Sequence, residues 1–405
     1  MGMKSRWALV VLGIAPVLVL NSCSSSNNVS STTSFMWVAT QGDQMVRSYT
    51  ISQNNGAINP VGTNGTPKPT GAQPQAMIIT PDGKAMFIAN AGGTITAYTI
   101  NGDGTLSSAG SPVNAGSVPV ALIADPASKF LFVANQGSAS DVTSGTISVF
   151  AISGANLTPV GNPVPTELPG DVSGSGPSGL AVSPVGSFLY VANQFSNNVQ
   201  GYSYDASGSL ALINTYTAGT NPTGLAFSRC AGITSSTSTV NCTVADDNNL
   251  FVSNSGSNNI SIFSACIQVS ATCGGGGTAP DGTLTEIPSK SPVAAGVGPA
   301  TIFVNPTADF VYAVDRGSSQ VSEYQYSPAT GVLTPLATGS GGASAFSGGI
   351  TSNIANNTNT FNWVVVTNNG SSNLSTFQVV TTGKLIAPSS SLYAVQGQPS
   401  AILLR

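Results

Sequence analysis

The chain has 405 residues, of which 41% are hydrophobic, 11 are basic and 15 are acidic, and it contains no histidine. Charged residues are far scarcer than the quarter or so typical of soluble domains, so solubility must come from uncharged polar side chains. No basic patch is available to neutralise phosphates, which argues against a nucleic-acid partner. The clear periodic apolar runs argue for a packed core rather than a disordered chain.

The first 34 residues have the features of an export signal followed by a tether. Two basic residues precede an apolar run at 7–20, which is shorter than the roughly 20 residues of a comfortable membrane-spanning helix. The Ser22-Cys23 pair after this run resembles the lipobox of bacterial lipoproteins, although Asn21 departs from the usual small residue there. An ordinary secretory signal with an incidental cysteine is the alternative.

The lipoprotein resemblance implies a division of the chain into three parts. Residues 1–22 are the signal peptide, 23–34 form a flexible tether that begins with a lipidated Cys23, and 35–405 form the folded domain. By resemblance to lipoprotein sorting, Ser24 favours the outer membrane. We therefore expect an exported protein held in the cell envelope, which contacts the membrane through its lipid alone and is monomeric.

Setting Cys23 aside leaves an even number of cysteines, which in an exported chain predicts disulfides. These cysteines are Cys230, Cys242, Cys266 and Cys273. Of the three possible pairings we favour Cys230 with Cys242 and Cys266 with Cys273, because each of these disulfides closes a short loop between predicted strands. A zinc site is the alternative, but the chain has no histidine and no paired Cys-x-x-Cys spacing. No metal or cofactor site is predicted.

One strand pattern recurs seven times along the chain. The seven copies lie at residues 35–40, 86–90, 131–135, 189–193, 250–254, 311–315 and 363–368. A second strand follows each copy after a polar turn, a proline-led apolar strand usually precedes it, and a glycine-containing turn starts a fourth strand. Each unit therefore predicts four short antiparallel strands.

A four-stranded sheet that is hydrophobic on both faces cannot bury itself alone, and radial packing of seven such sheets solves this problem. The sequence thus predicts an all-β, seven-bladed β-propeller. Residues 399–405 supply an innermost strand, whereas 35–61 supply three outer strands without an inner one. We expect the two ends of the chain to share one blade and close the ring.

The repeated Tyr/Phe-Val-Ala-Asn strands, each after a proline-led strand such as 177–184, resemble the YVTN-type repeats of the lactonase seven-bladed propeller family. That family includes 6-phosphogluconolactonase-like enzymes, and the resemblance covers 35–405. It implies the propeller fold, but its motifs are packing and turn signals and do not specify a reaction. Proposed active-site residues of lactone-acting members include a histidine, an arginine and a carboxylate on one face of the ring. This chain has no histidine, so no catalytic motif carries over.

The turn after each repeated strand and the link to the next blade are expected on one face of the disc. Asp315 and Arg316 occupy such a turn, and Glu167 and Asp171 lie in the long link at 162–176. In a chain so poor in charge, this grouping marks a candidate catalytic site, with a surface ion pair and solvated carboxylates as the alternative. Arg316 is expected to lower the pKa of Asp315, so Glu167 or Asp171 is the better candidate base.

The asparagines that end five of the repeated strands have a structural interpretation, since asparagine caps turns through its side-chain amide. They are Asn90, Asn135, Asn193, Asn254 and Asn368. The Asp-Gly pairs at 103–104 and 281–282 suggest calcium loops, but they lack the further carboxylates that such loops need. We interpret them as hairpin turns.

Two functions fit these observations. The first is a binding or scaffold propeller whose ligand is a small molecule, a glycan or a protein. The second is a lactonase-like hydrolase that uses carboxylates in place of histidine. Binding ranks ahead, because a carboxylate with a pKa of about 4 is a poor base at neutral pH.

Overall fold

A computed structural model shows the chain folded as seven antiparallel β-sheets arranged in a ring. The residues that the structure describes are 33–141, 143–168, 174–228, 248–267, 279–305, 309–340, 345–350, 363–388 and 391–405. Each sheet is called a blade, and the blades are numbered 1 to 7 in chain order. Blade 1 contains both the first and the last strand. The predicted all-β, seven-bladed propeller is confirmed.

One strand of each blade lies on the inner side of the ring. These inner strands are β5 (Pro74–Ile79), β10 (Pro119–Ala124), β15 (Pro177–Val182), β19 (Pro222–Phe227), β24 (Pro299–Val304) and β28 (Ala345–Ile350) of blades 2 to 7, and β33 (Pro399–Leu404) of blade 1. Each contacts the inner strands of both neighbouring blades, so the ring is closed. Six of them begin with proline, which suits the start of a strand with one unpaired edge because proline has no N–H to donate.

The second strand of each blade is the repeated strand predicted from the sequence. These strands are β1 (Thr33–Thr40), β6 (Ala85–Asn90), β11 (Phe130–Asn135), β16 (Phe188–Asn193), β20 (Asn249–Asn254), β25 (Phe310–Asp315) and β29 (Trp363–Asn368). Successive side chains point to opposite faces of a strand, yet every residue of β16 is buried. Both faces are covered because the apolar core consists of clusters at the boundaries between neighbouring blades.

In each third strand the second to the fifth residues are buried. The third strands are β2 (Met45–Ser52), β7 (Thr94–Ile100), β12 (Thr146–Ser153), β17 (Asn198–Tyr204), β21 (Asn259–Ala265), β26 (Gln320–Ser327) and β30 (Asn373–Val379).

The outer strand is continuous in blades 4 and 6 and divided into two short pieces in the other five blades. The outer strands are β3 (Ile58–Pro60) with β4 (Lys68–Pro69), β8 (Leu106–Ser108) with β9 (Val113–Asn114), β13 (Asn156–Pro159) with β14 (Val164–Pro165), β18 (Leu210–Thr217), β22 (Leu284–Glu286) with β23 (Val293–Ala294), β27 (Val332–Ser340), and β31 (Leu385–Ile386) with β32 (Leu392–Ala394). Two 3-10 turns lie at Thr63–Gly65 and Asn369–Ser371.

The two ends of the described chain close the ring within blade 1, as predicted. β33 pairs antiparallel with β1, and the backbones of Phe35 and Arg405 exchange two hydrogen bonds of 2.9 Å. The Arg405 guanidinium also donates to the carbonyl of Gly83 in blade 2. β1 begins at Thr33, two residues before the predicted domain boundary, because Ser34 pairs with Ile51 and continues the ladder.

The predicted hairpin turns between third and outer strands have a second role in packing the blades. Gly383 has a positive φ of 80°, and a Cβ atom there would overlap the ring of Phe310 in the preceding blade. Its carbonyl also accepts a buried hydrogen bond of 2.8 Å from the Tyr312 hydroxyl. Turn glycines at 104, 208 and 282 are covered by aromatic rings in the same way. These turns therefore join neighbouring blades at the face opposite the end of each second strand.

Within the described ranges, no helical segment has the length and apolar character that a bilayer span requires.

Candidate functional site

The seven inner strands surround a cavity of about 870 Å³ along the axis of the ring. One end of this cavity is lined by residues that each follow directly after a second strand. We call this end the mouth, and its residues are Gln41, Ala91, Gln136, Gln194, Arg316 and Asn369. Every second strand runs in the same direction around the ring, so one residue of almost every blade reaches the same opening.

Backbone hydrogen bonds hold the mouth residues in place. The N–H of Gln136 donates to the carbonyl of Val118 over 2.9 Å, and Arg316 makes the same bond to Gly298. In both blades the acceptor residue immediately precedes the proline that opens the inner strand. The start of each inner strand thus anchors the turn after the second strand, and the turn directs its first side chain to the axis.

The amide side chains at the mouth also bond to one another across blade boundaries. The Nε2 of Gln136 donates to the Oε1 of Gln194 over 3.0 Å. On the other side, the Nδ2 of Asn369 donates to the Oε1 of Gln41 over 3.4 Å. All four side chains are half-buried. The mouth therefore presents oriented amide groups, which can donate to or accept from a bound hydroxyl.

Arg316 gives the mouth its charge. Among the described residues that line the cavity, its guanidinium is the one ionised group, and the residue is exposed. A guanidinium offers a fork of N–H donors that matches a carboxylate or phosphate. The arrangement can bind a small anion and hold its hydroxyl groups, whereas the described lining supplies no carboxylate to act as a base.

Asp315 lies beside Arg316 in the chain but points away from the mouth. Its carboxyl group is fully buried, and its Oδ2 accepts a hydrogen bond of 2.6 Å from the Ser322 hydroxyl on the third strand. Burial raises the pKa of Asp315 to about 6. This differs from the lowered pKa expected from Arg316, because successive residues of a strand point to opposite sides, and the loss of solvent outweighs the hydrogen bonds that Asp315 receives from Ser322 and from the backbone of Gly296.

Glu167 lies in the link between blades 3 and 4, where its Oε1 accepts a hydrogen bond of 3.0 Å from the backbone N–H of Gly145. It is half-buried and does not line the cavity. Asp171 lies outside the described residues. Of the four predicted catalytic residues, the structure thus places Arg316 at the mouth, with Asp315 inside blade 6 and Glu167 in a link.

The amides at the mouth were not singled out from the sequence. Gln41, Gln136, Gln194 and Asn369 each follow the last residue of a repeated strand. A signal was available, since that position is polar in most of the seven repeats. This position belongs to no recognisable motif, and its side chains form a site only when the blades meet in a ring.

The repeated asparagines have the structural role that was predicted for them. All five are fully buried, and the Nδ2 of Asn254, for example, donates to the Ser261 hydroxyl over 3.0 Å. The same bond recurs between Asn368 and Ser375 at 2.8 Å. The asparagine thus fastens the second strand to the third rather than facing the cavity.

The described residues contain no cluster of three or more histidine, cysteine or acidic side chains that could hold a metal ion. Cys266 is buried just after the third strand of blade 5. Cys23, Cys230, Cys242 and Cys273 lie outside the described residues, so the lipid anchor and the disulfide pairing stay predictions.

Three solved structures illustrate the similarity in fold. A Bacteroides uniformis protein provisionally named a 6-phosphogluconolactonase is 15% identical with a TM-score of 0.71, covering 92% of this chain and 100% of its own. The periplasmic gluconolactonase PpgL of Pseudomonas aeruginosa is 18% identical with a TM-score of 0.70, covering 92% and 99%. Hydrazine synthase of Kuenenia stuttgartiensis is 13% identical with a TM-score of 0.55, covering 86% and 95%. At such identities the likeness concerns the fold, and the three names differ in reaction.

The sequence itself matches a family model. The model for the lactonase seven-bladed β-propeller matches residues 29–170, 146–268 and 278–396, which is well over half of the chain. Comparison with curated proteins found no match. The matched ranges include strands of all seven blades, and the chain therefore belongs to the lactonase family of seven-bladed β-propellers.

Proposed function

We propose that this propeller acts by binding, and that its mouth takes a small ligand that carries both an anionic group and hydroxyl groups. The observation that carries this proposal is the combination of one guanidinium, Arg316, with four half-buried amides around a cavity of about 870 Å³. Small-molecule sites usually have volumes of about 300 to 1,000 Å³ and a few convergent polar groups.

The chemistry of the mouth favours an anion over a cation or an apolar ligand. Arg316 supplies charge-assisted donors, and the amide pairs Gln136–Gln194 and Gln41–Asn369 lie on two sides of the opening. Amide groups accept from and donate to hydroxyls with little selectivity, so they suit a polyhydroxylated chain or ring. The rest of the described wall combines apolar residues with polar ones, among them Gln73 and Gln75, and carries no charge.

Binding is tested by calorimetry with three probes: D-gluconate, 2-hydroxyethanesulfonate and the neutral polyol D-glucitol. The two anions are expected to bind more tightly than the neutral polyol. Arg316→Gln should weaken anion binding by about 10- to 100-fold, since a hydrogen bond to a charged group contributes about 1.5 to 3 kcal/mol.

The matched control is Lys84→Gln, which removes one positive charge from an exposed side chain in the turn between β5 and β6. That turn lies on the face opposite the mouth, so this variant should bind the anions as the parent does. Equal losses in both variants, or no loss in Arg316→Gln, would show that the mouth is not the site.

Family membership favours a second candidate, a lactonase-like hydrolase. Arg316 would hold the developing oxyanion, and a carboxylate such as Glu167 or Asp171 would activate water. The test is an assay of sugar and aliphatic lactones with the parent, Arg316→Ala and Glu167→Gln. Substantial turnover that either change abolishes would place hydrolysis at this face and reverse the ranking.

We further propose that the protein is exported and anchored through a lipid on Cys23, with disulfides in blade 5. The name of PpgL as a periplasmic protein supports export. β1 begins at Thr33 and ends beside Gln41 at the mouth, so the tether would join the ring on the face opposite the mouth. Cys23→Ser should release the protein from membranes. Unchanged fractionation, or a mature N-terminus without an acyl chain, would disprove the anchor.

A further inference from the structure

The outer strand of blade 4 lacks the features that protect the outer edges of the other blades. An edge strand has unpaired backbone N–H and C=O groups with which another strand can pair, and prolines, charges and breaks normally prevent such pairing. In six blades the outer segment contains at least one proline. These segments are 58–69, 106–114, 156–165, 284–294, 332–340 and 385–394. In contrast, β18 of blade 4 contains no proline, no charged residue and no break.

The prolines of blades 1, 3 and 6 include one at a shared position, opposite the aromatic fifth residue of the third strand. They are Pro60, Pro159 and Pro335. At the same position blade 5 has Glu286, and blade 2 has Ser108, with which β8 ends. In blade 4 the position is occupied by Leu212, which lies opposite Tyr202 and is 49% exposed. An exposed apolar residue thus takes the place where other blades have a proline or a charge.

The backbone groups at this position point away from the blade. The N–H of Tyr204 donates over 2.9 Å to the carbonyl of Ser187, which directly precedes the second strand, and alternate residues of β17 face the same side. Residues of β18 that lie opposite them point their own N–H and C=O groups outwards. These outward residues are Leu210, Leu212, Thr215 and Thr217. Ala218, the next residue, donates inwards to Asn197, as the alternation requires.

A bulge gives β18 an unusual spacing of its outward groups. The register with β17 shifts between Gly201 and Tyr202, which makes Ile213 an extra residue of the outer strand. The outward residues at 210, 212, 215 and 217 therefore follow one another at intervals of 2, 3 and 2 positions. A regular strand presents its groups at every second position and cannot match all of them.

We propose that two copies of the protein pair antiparallel through β18 about a two-fold axis, which joins the two blades 4 into one continuous sheet. The intervals between outward residues read the same in both directions, so a second copy matches every one of them. Leu210 and Leu212 of one copy lie opposite Thr217 and Thr215 of the other, and each such pair exchanges two backbone hydrogen bonds. The same surface serves on both subunits, as a two-fold interface requires.

Charge does not oppose this pairing. The strand itself has no ionisable side chain, and the chain has a net charge of only -4 over 405 residues, so two copies repel each other weakly. Pairing through one strand is expected to bury less than the roughly 800 Å² per partner of a standard interface, which makes the dimer weak and dependent on concentration. The proposal departs from the monomer that the sequence led us to expect.

Sedimentation velocity of the purified protein, from low to high micromolar concentration, tests the dimer, and the mass should double as the concentration rises. Leu212→Pro removes the outward N–H at the centre of the edge. It should fold like the parent, because β27 accommodates Pro335 at this position in an unbroken strand with the same bulge. Self-association should weaken about 10- to 100-fold, since the two-fold axis removes two hydrogen bonds at once. The matched control is Ser108→Pro, at the same position of blade 2, which should dimerise as the parent does.

Hydrogen exchange of the parent tests the strand pairing without any variant. The outward amides of 210–217 should exchange quickly in dilute protein and slowly at concentrations where the mass has doubled. A parent that stays monomeric, or whose segment 210–217 exchanges equally fast at both concentrations, would overturn the proposal, whichever other partner the edge accepts. Undiminished dimerisation of Leu212→Pro, or equal losses in Leu212→Pro and Ser108→Pro, would overturn it as well.

Discussion

The buried carboxyl of Asp315 should make the stability of the propeller depend on pH, and Asp315→Asn should remove that dependence. The substitution restores the residue that five other blades carry at this position. Folding moves the carboxyl from water into a fully buried position, which raises its pKa from 3.8 to about 6.

The direction in which stability changes with pH follows from proton binding. Because the folded state holds the proton more tightly than the unfolded state, the contribution of this group to stability is complete below about pH 4. This contribution decreases as the pH rises to about 6, and above that pH it stays lost. The pKa change corresponds to about 3 kcal/mol at 1.36 kcal/mol per pH unit. At pH 8, Asp315→Asn should therefore be about 2 to 3 kcal/mol more stable relative to the parent than it is at pH 4, where the unfolded carboxyl is already partly ionised.

Urea unfolding at pH 4 and pH 8 measures this difference, with fluorescence of the buried Trp37 and Trp363 as the probe. Comparing parent and variant at each pH cancels the contributions of the other acids. Asn254→Asp is the converse control, since it places the same acid against the equivalent serine of blade 5. It should be destabilised at pH 8 and much less so at pH 4. If the advantage of Asp315→Asn is the same at both pH values, the reasoning is wrong.

Three further predictions concern the blades. Gly383→Ala should lower the free energy of unfolding in urea by about 2 to 5 kcal/mol, because the position combines a positive φ with overlap of an aromatic ring. The control Gly154→Ala, at a positive φ in open space, should lower it by about 1 to 2 kcal/mol. Equal losses in the two variants would disprove the packing role of the Gly383 turn. Val118 has a φ of 54°, so Val118→Asn should raise the unfolding free energy by about 1 kcal/mol, and a decrease would contradict strain there. Peptide mapping without reduction should recover Cys266 joined to Cys273, and free thiols after preparation under oxidising conditions would exclude the pair.

The family and the fold could be predicted from the sequence because their signals are local and repeated. Alternating apolar residues, proline-led strands and turn glycines can each be recognised within about ten residues of sequence. Seven copies of this pattern are compatible with few folds. Closure was also predictable, since 35–61 lacks an inner strand and 399–405 provides one. The structure confirms that pairing between β1 and β33.

The mouth depended on the tertiary structure. Gln136 and Gln194 are 58 positions apart in the chain and Asn369 and Gln41 are 328 apart, yet each pair is hydrogen-bonded. No local pattern brings them together, because the contact follows from the angle at which neighbouring blades meet. The opposite directions of Asp315 and Arg316 likewise followed from which side of β25 faces the third strand and which residue reaches the ring axis. Asp315 and Arg316 are neighbours in the sequence, but only the packed ring makes one of them a buried acid and the other an exposed cation.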